Sequence, residues 1–159
     1  MTKVSTDQCC NICGIPLDAE YFDESGVENV PEVGKEVVLA RFSLHPQYCG
    51  VLNYFVQFTD QFFRDPSQVK TPGLEWLLLM NHRPLFPYVK LDRIINPWGF
   101  TCIPVAIRLD ENAMIEVVVR NVAYNRTPDD RNVITQVGGR IVGRYWYNRV
   151  YGDVARRLR

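Results

Sequence analysis

The chain is poor in the groups that most often carry acid–base and metal chemistry. Only two histidines, His45 and His82, occur in 159 residues, and each lies beside a turn and a proline. There is no G-x-S-x-G, no H-E-x-x-H and no phosphate-cradling glycine loop. Those gaps remove the nucleophile elbow, the helix-borne zinc pair and the P-loop from consideration. Acid–base catalysis needs placed residues, and none can be pointed to, so a non-enzymatic role is expected. No apolar run approaches the ~20 residues of a membrane helix. The start, Met1-Thr-Lys-Val-Ser-Thr-Asp7, has no apolar secretory core; synthesis in the cytoplasm and no membrane partner are expected.

Net charge is also missing: 18 basic residues balance 18 acidic ones. The balance is uneven along the chain. Residues 1–36 hold eight acids against two lysines, a net of −6. Residues 120–159 hold nine arginines against three aspartates, a net of +6. An acidic head and a basic tail can attract copies of the chain, because complementary potentials steer association and fix register. They can equally pair within one molecule or be solvated. Overall neutrality, without a basic strand face interleaved with aromatics, disfavours nucleic acid as a partner.

What is abundant is alternation. Phe100 to Leu109 and Ala113 to Val122 flank the polar turn Asp110-Glu111-Asn112. Ile103, Val105, Ile107 and Leu109 are apolar at every second position, as are Ala113, Ile115, Val117 and Val119. A period of two lines one face of a strand. The pair reads as a β-hairpin. Glu36 to Leu44 alternates with Val38, Ala40, Phe42 and Leu44 on one side; Val51 to Phe63 does so with Leu52, Tyr54, Val56, Phe58 and Phe62. Leu74 to Met80 is nearly continuous and reads as an inner strand. Leu85 to Leu91 is a further strand candidate. Gly138-Gly139, inside the last strand pattern, predicts a bulge. About seven or eight strands with Pro/Gly turns favour an all-β antiparallel β-sandwich or jelly roll.

The expected organisation is an irregular, extended N-terminal arm over 1–34, a sandwich over 35–147, and a basic tail over 148–159. The tail includes one short helical stretch, Tyr151 to Leu158, with Asp153 near its start and arginines near its end. Glu20, Asp23 and Glu24 in the arm, and Arg149, Arg156, Arg157 and Arg159 in the tail, are the expected contact residues.

Cysteine chemistry has three readings. Cys10 and Cys13 form a C-x-x-C followed by Gly14, and His45 and Cys49 add a nitrogen and a sulfur, enough for one tetrahedral zinc. A disulfide within the arm, or between subunits, suits an oxidising setting. Reduced thiols with no cofactor are the simplest reading, and Cys102, in an apolar strand, reads as a small buried residue. Among the tryptophans, Trp76 and Trp146 lie in strand patterns and suit core packing; Trp98, in Asn96-Pro-Trp-Gly99, is the exposed candidate for stacking on a sugar.

Three stretches carry a resemblance: Thr71-Pro-Gly-Leu-Glu-Trp-Leu77, Ile103 to Val119, and Gly138-Gly-Arg-Ile-Val-Gly-Arg-Tyr-Trp-Tyr147. All lie within residues 71–147. Their construction resembles the small β-sandwich virion proteins of tailed bacteriophages. That resemblance implies rings or trimers at the capsid, neck, collar or tail, with no catalytic residues. It also implies a virion location, with copies of the chain and other virion proteins as partners. The alternative functions are a carbohydrate-binding module using Trp98 and a small zinc protein using Cys10, Cys13, His45 and Cys49.

Overall fold

The computed structural model describes residues 15–16, 18–60, 73–85, 100–125 and 133–148. Among the described residues there are eight strands: β1 (Glu20–Asn29), β2 (Glu36–Ser43), β3 (Tyr48–Thr59), β4 (Leu74–Met80), β5 (Arg83–Pro84), β6 (Phe100–Leu109), β7 (Met114–Asn121) and β8 (Gln136–Tyr147). They form two four-stranded antiparallel sheets, ordered β1-β8-β3-β6 and β2-β7-β4-β5. The chain is an all-β sandwich, and no helix is present among the described residues.

Between the sheets lie Phe22, Leu39, Leu52, Phe55, Leu74, Trp76, Leu78, Leu109, Ile115, Val117, Val119, Val137 and Ile141. The alternation read from β6 and β7 holds: Val105, Leu109, Ala113, Ile115, Val117 and Val119 are all buried. Trp76 has no exposed surface, and its indole Nε1–H donates to the Gly138 carbonyl at 3.0 Å. A buried tryptophan usually finds such a partner. Here the bond links the two sheets.

The expected hairpin does not form. β6 pairs with β3, and β7 pairs with β2 and β4, so the Asp110–Asn112 turn is an arch from one sheet to the other. The Ala113 N–H donates to the Asp110 carbonyl at 3.0 Å, and Asn112 takes a left-handed φ of 59°, a conformation asparagine tolerates. Alternation says which side of a strand is apolar. It does not say whether the next strand continues the same sheet or covers it.

The bulges also lie elsewhere than expected. β8 runs unbroken through Gly138 and Gly139 against both β1 and β3. The register shifts instead at Leu39 in β2 and at Asn53 in β3. Each extra residue exchanges faces beyond it. Leu52 points inward, but Tyr54, Val56 and Phe58 point outward, while Phe55, Gln57 and Thr59 are buried. In β2 the same device leaves Val38 exposed and buries Leu39 and Ala40 together. Gly139 serves close packing: a Cβ there would lie 2.6 Å from Val117 Cγ1.

The arm expected over 1–34 is partly strand. Residues 20–29 form β1, hydrogen-bonded along its length to β8. Phe22 explains why: its ring is buried and stacks on Phe42 at a centroid distance of 3.9 Å. Gly26 lets β1 close the edge against β2, since a Cβ there would collide with the Leu39 carbonyl oxygen. The irregular text hid a strand because Phe22 is its one buried large side chain and glutamates and a glycine take the other positions on that side.

Candidate functional site

Outward residues of the β1-β8-β3-β6 sheet fall in rows set by the register. Cys49 lies beside Trp146; Tyr21, Arg144, Val51 and Arg108 form the next row; Asp23, Val142, Tyr54 and Pro104 the next; Ser25, Arg140, Val56 and Cys102 the next. Val27 and Phe58 flank Gly138 beyond them. Tyr21, Val27 and Tyr54 are 72%, 53% and 47% exposed. Val51, Val56, Phe58 and Val142 are half-buried. Three arginines are set among these side chains. Arg144 lies over the Tyr21 ring at 4.9 Å and donates to the Ala19 carbonyl at 3.1 Å. Arg140 forms a two-pronged pair with Asp23. That guanidinium holds the Asp23 carboxyl below the usual carboxylate range, and Asp23 in turn raises Arg140.

At one end of this face a cleft of about 610 Å³ is lined by Ile15, Cys49, Gly50, Val51, Asn53, Ala106, Arg108, Trp146 and Asn148. Trp146 is half-buried on β8 and forms one wall; it packs on the outside of the sheet, not in the core expected for it. The Asn53 bulge brings the amide into the cleft. Asp110 accepts from Arg108 Nε at 3.0 Å and so orients the guanidinium. Burial pushes the Cys49 thiol up, with a smaller opposing pull from Arg108. Around the sheet end, a smaller cleft of about 260 Å³ is lined by Asp18, Glu20, Tyr48, Tyr145, Trp146 and Tyr147. The Tyr145 hydroxyl donates to Glu20 at 2.7 Å, which raises its pKa.

The expected site residues scatter. Asp23 and Glu20 are engaged with Arg140 and Tyr145 of the same molecule, and Glu24 is exposed on β1. Glu36 likewise accepts from Arg120 at 3.2 Å. Part of the charge complementarity between head and tail is therefore spent inside one chain. Arg149, Arg156, Arg157, Arg159, Trp98, Cys10 and Cys13 lie outside the described residues. His45 is exposed between β2 and β3, and Cys49 lies in the cleft. Among the described residues, no group of three or more His, Cys, Asp or Glu is gathered to hold a metal ion. Cys102 is exposed, not buried. It is an even-numbered position on β6, outward by the strand's own alternation.

Two clusters went unseen in the sequence. Glu116 is almost fully buried on the outward side of β7, held by Arg41 Nη2 at 2.6 Å and by His82 Nδ1 at 3.0 Å. The Asn81-His82 turn that presents His82 has φ of 51° and 64°, as a two-residue hairpin turn requires. Asn121, also buried, donates to the Pro31 and Tyr124 carbonyls and accepts from the Tyr124 N–H at 2.8 Å. Strand pairing sets Arg41 directly opposite Glu116, with Leu79 on its other side, and a pairing between residues so far apart in the chain leaves no local sign.

No protein-family model matches the chain, and no curated protein matches it. Among solved structures, a family 35 carbohydrate-binding module from Clostridium thermocellum is similar at a TM-score of 0.35 with 9% identity, covering 79% of this chain and 92% of that one.

Proposed function

We propose that the chain is a non-enzymatic structural subunit of a bacteriophage particle, placed at the neck, the head–tail connection or the capsid surface. It works by repeated contacts with copies of itself and with other virion proteins. One observation carries this reading: the outward face of the β1-β8-β3-β6 sheet is left open, with Tyr21, Val27 and Tyr54 exposed around Val56, Phe58 and Val142. A contiguous apolar patch rimmed by charge is the usual mark of an interface. The occupant is a second copy. Its β1 edge offers exposed Glu24 and Glu28, of opposite sign to the arginines set in this face. A head-to-tail contact of that kind generates a ring when the rotation closes. Repetition around the ring turns a weak contact into a strong one by effective concentration. The sequence resemblance over residues 71–147 supports the phage setting.

Sedimentation of the purified chain across a concentration series, at low and high salt, tests this reading. A salt-sensitive oligomer that Tyr54→Asp dissociates is expected. A wild-type chain that remains a monomer throughout would overturn it. Portal or tail genes beside the coding sequence are the expected genomic setting.

A further inference from the structure

We infer that the cleft at Trp146 is a binding site for a neutral pyranose saccharide, distinct from the apolar patch that mediates assembly. A sugar ring has two kinds of surface. Its axial C–H groups form an apolar plate that stacks on an aromatic ring. Its hydroxyls form a polar edge that needs planar donors and acceptors. The cleft supplies both. Trp146 offers an indole on the outside of β8, and Val51, Ala106 and Ile15 form a small apolar floor. Asn53, at the register shift of β3, and Arg108, opposite Val51 on the neighbouring β6, both line the cleft. An asparagine amide donates and accepts at once, and a guanidinium with its Nε committed to Asp110 still presents its remaining N–H groups.

Charge selects the ligand class. Arg108 is offset by Asp110, and the cleft around the other side of Trp146 carries Asp18 and Glu20. A phosphate or sulfate would find one already paired cation and two nearby carboxylates. A lipid chain would find hydrogen-bonding groups along its path. An uncharged polyol suits both rims, and the volume lies in the ~300–1,000 Å³ range of small-molecule sites. The position fits a ligand presented from outside: the cleft sits at the sheet end, two rows from Tyr54, so a sugar and a neighbouring subunit need not compete.

The full-length chain, applied to an array of neutral and acidic glycans, tests this, with the retained oligosaccharide then titrated calorimetrically. Retention of at least one neutral glycan is expected. Trp146→Ala is expected to weaken binding by about tenfold or more, the scale of losing an aromatic anchor. Trp146→Phe keeps a ring and is expected to recover part of the loss, which separates stacking from misfolding. Arg108→Gln is expected to weaken binding with an unchanged melting temperature. Val27→Asp, at the far end of the face, is expected to weaken association and leave glycan binding intact, so this site and the assembly reading fail separately. Absence of any glycan binding, selective retention of acidic glycans, or wild-type affinity in Trp146→Ala would each overturn the inference.

Discussion

The two outward faces of the sandwich are built differently. On the β1-β8-β3-β6 sheet, Tyr21 and Tyr54 stand in the open. On the β2-β7-β4-β5 sheet, Leu77 and Val118 are register partners facing outward, yet they are 3% and 2% exposed, and Glu116 beside them is equally covered. The centre of one outer face is shielded from solvent at Leu77, Val118 and Glu116; the other leaves its aromatics uncovered. The shielded face holds a buried carboxylate, Glu116, paired with the half-exposed Arg41. The open face is where a further molecule gains most by docking, because apolar surface is still in contact with water there.

Four changes break or sharpen that contrast. The largest effect is expected from Gly26→Ala, which drives a methyl into the Leu39 backbone where the two sheets meet. Backbone cannot yield as a flexible side chain does, so a loss of roughly 3 kcal/mol or more is expected in denaturant unfolding. It would disturb both faces at once. Next is Arg41→Ala, which strikes the covered face alone. It leaves the buried Glu116 carboxylate with the His82 imidazole at 3.0 Å beside it. Breaking a fully buried pair costs ~3–5 kcal/mol, and because Arg41 is half exposed about 2 kcal/mol is expected. Replacing Arg41 by lysine, which keeps charge without the fork, is expected to recover part of this in the same unfolding assay.

Tyr54→Asp addresses the open face. Its effect on monomer stability is expected to stay within about 0.5 kcal/mol, as for other surface changes, while sedimentation shows loss of the oligomer. A destabilisation as large as that of Arg41→Ala would mean that Tyr54 is as much a core residue as Leu77, and the contrast would disappear. The smallest effect belongs to Asp23, on the edge strand of the open sheet. Arg140 depresses its pKa in the folded chain relative to the unfolded chain. The pair therefore contributes stability at pH values above the unfolded carboxylate pKa, and that contribution fades as pH falls through the lower folded value. Both side chains are about half exposed, so solvent screens the contribution. Asp23→Asn is expected to lower stability slightly at neutral pH, a deficit that vanishes as pH falls through the folded carboxylate value, so the acid limb of the stability–pH curve is slightly flatter.

Several features were legible in the residues. Trp76 reads as core and is core. The inward sets Val105, Leu109, Ile115, Val117 and Val119 follow from alternation alone. Other features were not. The apolar strand around Cys102 suggests an interior position, yet its even place in the alternation sets it outside with Pro104 and Ala106. The polar text of β1 concealed a strand held by one buried ring, Phe22. Simple alternation from Val51 to Phe63 puts Tyr54 and Gln57 on the opposite faces from those they take, because nothing in that run marks Asn53 as the extra residue. The cleft at Trp146 could not be read either: Ile15, Asn53, Arg108 and Trp146 come from four separate stretches of chain.

The amino-acid pattern alone decided that this polypeptide makes pleated strands with one oily side, and hence an all-β molecule with two layers. Alternation of side chains is a property of neighbours, and neighbours are all it needs. Only the tertiary structure decided which strands share a sheet, where a strand turns itself over, and which outer face stays bare. Those outcomes depend on contacts such as Gly26 on Leu39, Trp76 on Gly138 and Phe22 on Gly143, between residues far apart along the chain, and such contacts leave no local mark.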